Sequence, residues 1–399
     1  MRYPALGAPG THPVPSETLN NETRDEEMKR IRTAHILLVL LSIIIALALA
    51  EIGLRTIERL GYFSNFFKAL NSAYTPFDVK TGEGLYYSHP YISYDMKPGY
   101  NIPGEVTINS LGFRGEELSA DKPPGVYRIV ALGGSTTYGI GLNDDETYPY
   151  YLQKELRERL GTDKIEVINA GLVSATTAES LSRLLFKILP LKPDMVIFYE
   201  GYNDLPPRMF DGFSDDYYSF RKNPENRFSW LSHSLLYRVA ASGLKASLHY
   251  PNMTLLSEIW KFENMPQDDA KKIANFNSTT NAVYERNLDY IIALARAKNI
   301  TVVLSTFVFD DDAPNWNSYM PDELWGKGIG QNNEAVKELA GRYNLPLIDL
   351  YSYGLGHKNI FHDSIHLTAE GDEEMADVFA DTIAPIVRKE MSYKAERRE

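Results

Sequence analysis

Five short and almost wholly apolar runs recur from Tyr127 onward: Tyr127–Leu132, Ile165–Ala170, Met195–Tyr199, Thr301–Thr306 and Pro346–Asp349. Segments with helical periodicity stand between and after them, at Tyr148–Leu160, Thr177–Ile188, Val283–Lys298, Asn332–Tyr343 and Ala369–Glu390. Runs this apolar fit strands covered on both faces, and their alternation with helices selects a parallel sheet with helices on each side. In such open sheets ligands bind outside the carboxyl ends of the strands. Ser135, Gly171 and Asn203 each fall at or just past one of those ends.

The chain has 399 residues, enough for one large domain with attachments. It is 44% hydrophobic and 24% charged, ordinary for a protein with a packed core. The net charge is −12 and no basic stripe occurs, which argues against nucleic-acid binding, since phosphate contacts need clustered Lys and Arg. There is no cysteine, so disulfides, thiol nucleophiles and thiolate metal sites are excluded.

One segment does not belong to a globular domain. Ile36–Ala50 reads ILLVLLSIIIALALA, unbroken by charge, and predicts a transmembrane helix over 33–54. Arg24, Lys29, Arg30 and Arg32 precede it, whereas Arg55 and Arg59 are diluted by Glu51 and Glu58. The positive-inside rule then places residues 1–32 in the cytoplasm and the rest outside. The alternatives are a secreted protein cleaved after Ala48-Leu49-Ala50, a small-residue pattern like a signal-peptidase site, and a buried core helix. Residues 1–32, with four prolines and little apolar content, are expected to be a disordered tail. Residues 55–122 read as a connector, opening on an amphipathic helix to about residue 70 and closing at the DKPPG turn. The main domain then spans 123–395, with an aromatic-rich insertion at 205–278 that is either a lid or a structural elaboration.

The stretch ALGGSTTYGIG, residues 131–141, places a small polar corner directly after the first strand. Gly134 and Gly139 have the spacing of a phosphate-binding P-loop, but Ile140 stands where Lys is required. A dinucleotide fingerprint fails because Gly139-Ile140-Gly141 leads to Asp144 rather than Gly. The G-x-S-x-G elbow matches at Gly133 and Ser135 but ends on Thr137. Serine chemistry of another kind fits: a nucleophile needs an exposed hydroxyl, a base within reach and donors for an oxyanion. The stretch FHDSIHLTAEG, residues 361–371, offers Asp363 and His366 three residues apart, so that the carboxylate can fix the imidazole tautomer. Donors are available at the Gly171 N–H and the Asn203 side-chain amide.

These blocks resemble the SGNH (GDSL-type) hydrolase family over about residues 127–388. The first would be Gly134-Ser135, the second Gly171, the third Gly201-x-Asn203-Asp204 and the last Asp363-x-x-His366. INSLGFRGEE, residues 108–117, is similar to what precedes this domain in membrane-anchored bacterial members. The resemblance implies a flavodoxin-like α/β/α sandwich, here behind a transmembrane helix. It implies Ser135 as nucleophile, His366 as base and Asp363 as its orienter. The N–H groups of Ser135 and Gly171 and the Asn203 amide would form the oxyanion hole, with no metal or cofactor. One departure stands out: Gly134 occupies the place where members usually carry Asp. The expected activity is ester hydrolysis through an acyl-enzyme, on acyl esters of envelope carbohydrate or lipid. An O-acyltransferase of the same fold and a non-catalytic carbohydrate-binding or assembly module are the alternatives.

Overall fold

The computed structural model describes residues 17–63, 85–222, 234–237, 239–240, 256, 259–313, 315 and 319–396. The chain divides into two compact units, Met1–Asn71 with Ser229–Tyr250, and Ser72–Phe228 with Pro251–Glu399. The C-terminal part of the expected amphipathic helix, the start of the main connector and much of the insertion lie outside the described residues.

The first unit is built on α1 (Glu17–Arg59). Its stretch Met28–Arg59 is long and apolar enough to cross a membrane, and none of its most apolar window is buried. The helix begins at Glu17 rather than near residue 33, so residues 17–32, expected to be disordered, are helical. Their run of Glu, Met, Lys and Arg favours helix, and joining an existing helix avoids the cost of nucleation. Just past the apolar stretch, the Glu51 carboxylate accepts from Ser234 Oγ at 2.9 Å and from the N–H groups of Leu235 (2.9 Å) and Leu236 (2.8 Å).

The second unit holds the sheet. Two small antiparallel pairs come first, β1 (Tyr86–His89) with β2 (Ser93–Met96) and β3 (Asn101–Ile102) with β4 (Val106–Thr107). Then follow β5 (Tyr127–Gly133), α2 (Ser135–Tyr138), α3 (Tyr148–Leu160), β6 (Ile165–Gly171), α4 (Thr177–Arg183) and β7 (Met195–Tyr199). After the insertion come α5 (Asp269–Asn277), α6 (Ala282–Ala297), β8 (Thr301–Ser305), α7 (Asp322–Tyr343), β9 (Leu347–Ile348), α8 (Leu350–Gly354) and α9 (Ala369–Glu396). The five-stranded sheet is parallel, in the order β6-β5-β7-β8-β9. This is the flavodoxin-like order, which reverses direction at β5.

Strand periodicity divides the core in two. Tyr127, Ile129 and Ala131 of β5 face Leu152, Leu156, Phe379 and Ile383 of α3 and α9. Val130 and Leu132 face Leu288, Ile291, Ile292 and Val336 of α6 and α7 on the other side. Each face is fully covered, which is why the strands read as unbroken apolar runs.

Two helices differ from expectation. α7 starts at Asp322, not Asn332, because Gly326, Gly328 and Gly330 hide the helix from propensity. Gly328 earns no helix propensity but packs against Leu205, whose Cδ2 would lie 2.6 Å from any Cβ there. The helix expected to run through Ile188 changes at Leu184 into one π turn followed by a 3-10 turn at Leu189–Leu191. Pro190 lies in that turn and has no N–H to extend the α ladder.

Residues 85–118, expected as a connector outside the domain, are part of it. Tyr94, Met96, Ile108 and Phe113 are buried, and a third core cluster joins this segment to Phe210, Phe220 and Trp260 of the insertion. The described insertion is thus largely packed aromatic structure, with Tyr218 exposed. Arg114 fastens the segment to the site. Its backbone bridges Asn169 at the sheet edge. Its guanidinium pairs with Asp144 (2.8 Å) and donates to the carbonyls of Tyr138 (2.9 Å), Gly139 (2.7 Å), Leu142 (2.5 Å) and Glu105 (3.2 Å). Arg114→Met keeps bulk but orphans those acceptors. It should cost about 1–3 kcal/mol for each buried acceptor left unsatisfied, read as a lowered thermal midpoint.

Candidate active site

The carboxyl ends of the three leading strands are level: Gly133 of β5 pairs with Gly171 of β6 on one side and Tyr199 of β7 on the other. The chain leaves β5 through Gly133 and Gly134 and turns at once into α2, with Ser135 its first residue. This turn fits only because side chains are missing beneath it. A Cβ on Gly133 would collide with Thr137 and the Tyr199 carbonyl, and one on Gly171 with the backbone of Thr137 and Tyr138. As the first residue of a helical turn, Ser135 has no intrahelical acceptor for its N–H.

Ser135 Oγ lies 2.8 Å from His366 Nε2, across 231 residues of sequence. His366 Nδ1 lies 2.8 Å from Asp363 Oδ2. Asp363 Oδ1 accepts the N–H groups of Ile365 (2.9 Å) and His366 (2.8 Å), so the carboxylate is clamped by its own loop. That loop is closed by the Phe361–Leu367 bridge and leads into α9. Burial pushes the Asp363 carboxyl up, but the His366 imidazole and the two N–H groups outweigh it and hold the group below the ordinary carboxylate range. Serine, histidine and aspartate therefore form one hydrogen-bonded chain, an arrangement able to deprotonate a hydroxyl.

The expected oxyanion donors fare differently. Asn203 Nδ2 stands beside the Gly134-Ser135 corner, 2.6 Å from where a Cβ on Gly134 would be. Gly171, by contrast, does not present a free donor. Its N–H bonds Asn169 Oδ1 at 3.0 Å, and the residue sits under the Tyr138 backbone. Its requirement for glycine is close packing rather than donation, a distinction that sequence cannot make. Two features had no clear signal in the sequence. Ser174, in the loop after β6, has φ 62°, a left-handed conformation unusual for a non-glycine residue. Glu200, directly after β7, is buried, and its Oε1 accepts from Asn203 Nδ2 at 3.3 Å.

Asp204 anchors the third loop. It accepts from Thr177 N (2.9 Å), Thr177 Oγ1 (2.5 Å) and Tyr217 Oη (2.7 Å). Burial pushes its carboxyl up to about 6 despite these bonds. Among the described residues one acidic cluster has metal-ligand proximity, Asp310, Asp311 and Asp312. Lys358 Nζ contacts all three, at 2.7, 2.7 and 2.9 Å, as an internal counter-ion.

The profile of the GDSL-like lipase/acylhydrolase family matches residues 131–373, which takes in every element of this site. The chain belongs to that family. It is accordingly an ester-bond hydrolase with the parallel α/β fold described above. No curated protein matches the chain. Among solved structures, the lipase/acylhydrolase from Enterococcus faecalis is similar at 19% identity, covering 65% of this chain and 96% of that one, TM-score 0.41. An acetylxylan esterase from Geobacillus stearothermophilus, in a catalytic-mutant form, aligns at 15% identity over 66% of this chain and 96% of its own, TM-score 0.41.

The depressed Asp363 carboxyl makes a prediction about acid stability. A folded-state pKa below the ordinary 3.8 contributes stability that is complete above that value and lost as pH falls through the lower folded one. Asp363→Asn should therefore melt below wild type at neutral pH. The gap should close on acidification below pH 3.8, read by thermal melts across that range.

Proposed function

We propose that this GDSL-family hydrolase is a serine esterase in which Ser135 is the nucleophile, His366 the general base and Asp363 the orienting carboxylate. The observation that carries the reading is the hydrogen-bonded chain Ser135 Oγ–His366 Nε2 and His366 Nδ1–Asp363 Oδ2, 2.8 Å at each link. His366 takes the Ser135 proton as Oγ attacks the ester carbonyl, then returns it to the leaving alcohol. The Ser135 N–H and the Asn203 amide meet the oxyanion, where donors fixed in advance are worth most. The resulting acyl-enzyme is hydrolysed by water that His366 activates. A binding or assembly module has no use for an imidazole behind its serine, which speaks against the non-catalytic alternative.

Ser135→Ala should abolish hydrolysis of p-nitrophenyl esters while the thermal midpoint stays near wild type. A fluorophosphonate probe should label wild type at Ser135. Label on another serine, or retained activity in the variant, would refute the mechanism. Acyl release at full rate without added saccharide supports a hydrolase, whereas dependence on a saccharide that becomes acylated supports an acyltransferase.

We further propose that α1 is an uncleaved single-pass anchor with its N-terminus in the cytoplasm and the hydrolase unit outside. Its apolar stretch and the basic residues before it support this reading. Acyl esters of envelope carbohydrates or lipids are then the substrates within reach. The intact chain should fractionate with membranes and its hydrolase unit should be cut by protease added to spheroplasts. A soluble mature protein starting at Glu51 would instead show a cleaved signal.

A further inference from the structure

Gly134 and Glu200 compete for one space. A Cβ on Gly134 would stand 2.6 Å from Glu200 Oε2 and 2.6 Å from Asn203 Nδ2. The φ of Gly134 is −91°, outside the left-handed region, and its neighbours crowd any side chain there. The Glu200 carboxyl fills that place from the opposite loop. It is 1% exposed, and Tyr284 Oη pins its carbonyl at 2.7 Å. Its Oε1 accepts from Gly201 N (3.2 Å), Asn203 N (3.5 Å) and Asn203 Nδ2 (3.3 Å). Its Oε2, on the Gly134 side, is buried with no hydrogen-bond partner among the described residues.

We propose that Glu200 is a positioning residue of the esterase site: its carboxyl takes the slot beside the nucleophile that Gly134 leaves open, and from there holds the Asn203 amide toward the reacting carbonyl. This rests on the role given to Asn203 above. An amide nitrogen carries two hydrogens. With one directed to Glu200 Oε1, rotation of the side chain is stopped and the other is left for the developing oxyanion. Burial, then the neighbouring Asp204, push the Glu200 carboxyl well above its ordinary range, which disfavours a negative charge beside the oxyanion. The place where the family usually carries Asp is thus occupied by a carboxyl from a different strand end, which accounts for glycine at 134.

A double-mutant cycle separates this role from simple capping of the turn at 200–203. Glu200→Ala should lower kcat by roughly 10- to 100-fold with KM little changed, the scale expected when a reacting group is misplaced by about 1 Å. In an Asn203→Ala background the same substitution should cause no further loss of kcat. Glu200→Met fills the volume without an acceptor and reads the same cycle if the alanine variant does not fold. Glu200→Gln, which keeps the acceptor, should lose less than either. Gly134→Asp should be inactive alone, and more active when combined with Glu200→Ala. An equal loss in both backgrounds, wild-type kcat in a folded Glu200→Met, or no rescue of Gly134→Asp would each overturn the proposal. Wild-type kcat in Asn203→Ala would overturn it as well. Ser135 labelling by fluorophosphonate is read in parallel, so that failure of the esterase mechanism is told apart from failure of this positioning role.

Discussion

The whole site stands on a close approach of backbones. One helical turn, Ser135–Tyr138, sits on the ends of β5 and β6 with no side chain between them, because Gly133 and Gly171 supply none. Steric repulsion at these distances rises far more steeply than any compensating attraction. With the turn seated there, Ser135 is held level with the ends of β6 and β7, where the loops carrying Asn203 and its neighbours begin. The register Gly133–Gly171 and Gly133–Tyr199 keeps those three ends aligned.

The carboxyl groups around this platform are sorted by their surroundings. Asp363 is partly exposed and clamped by an imidazole and two N–H groups, which keeps it charged. Glu200 and Asp372 are buried with no cation in hydrogen-bonding reach among the described residues, and burial pushes both well above the ordinary range. Asp372 accepts from Tyr148 N at 2.8 Å and so ties the start of α9 to the start of α3. The carboxylate the proposed reaction requires in charged form is the one that has an imidazole partner besides its N–H donors.

Arg114 has a comparable place among the structural groups. The segment 85–118 would be marginal alone, since two-stranded hairpins rarely persist in water. Its buried aromatics and the five-fold capture of carbonyls and Asp144 by Arg114 make it one body with the Ser135–Tyr138 turn.

Sequence by itself determined the sheet and singled out the residues of the hydrogen-bonded chain Ser135, His366 and Asp363. Alternating apolar runs fit strands covered on both faces, and all five fall within a residue of their observed ends. Ser135, Asp363 and His366 were legible because Ser135 follows a predicted strand and the other two precede the last predicted helix, in residue types that one reaction requires together. Tertiary structure decided the rest. Whether Gly171 donates or packs depends on what lies above it, and the Tyr138 backbone lies there. Whether residues 85–118 link or belong depends on Arg114 meeting carbonyls up to 28 residues away. Glu200 and Gly134 are neighbours only because β5 and β7 pair, since local periodicity carries no information about which side chains two distant loops will bring into the same space.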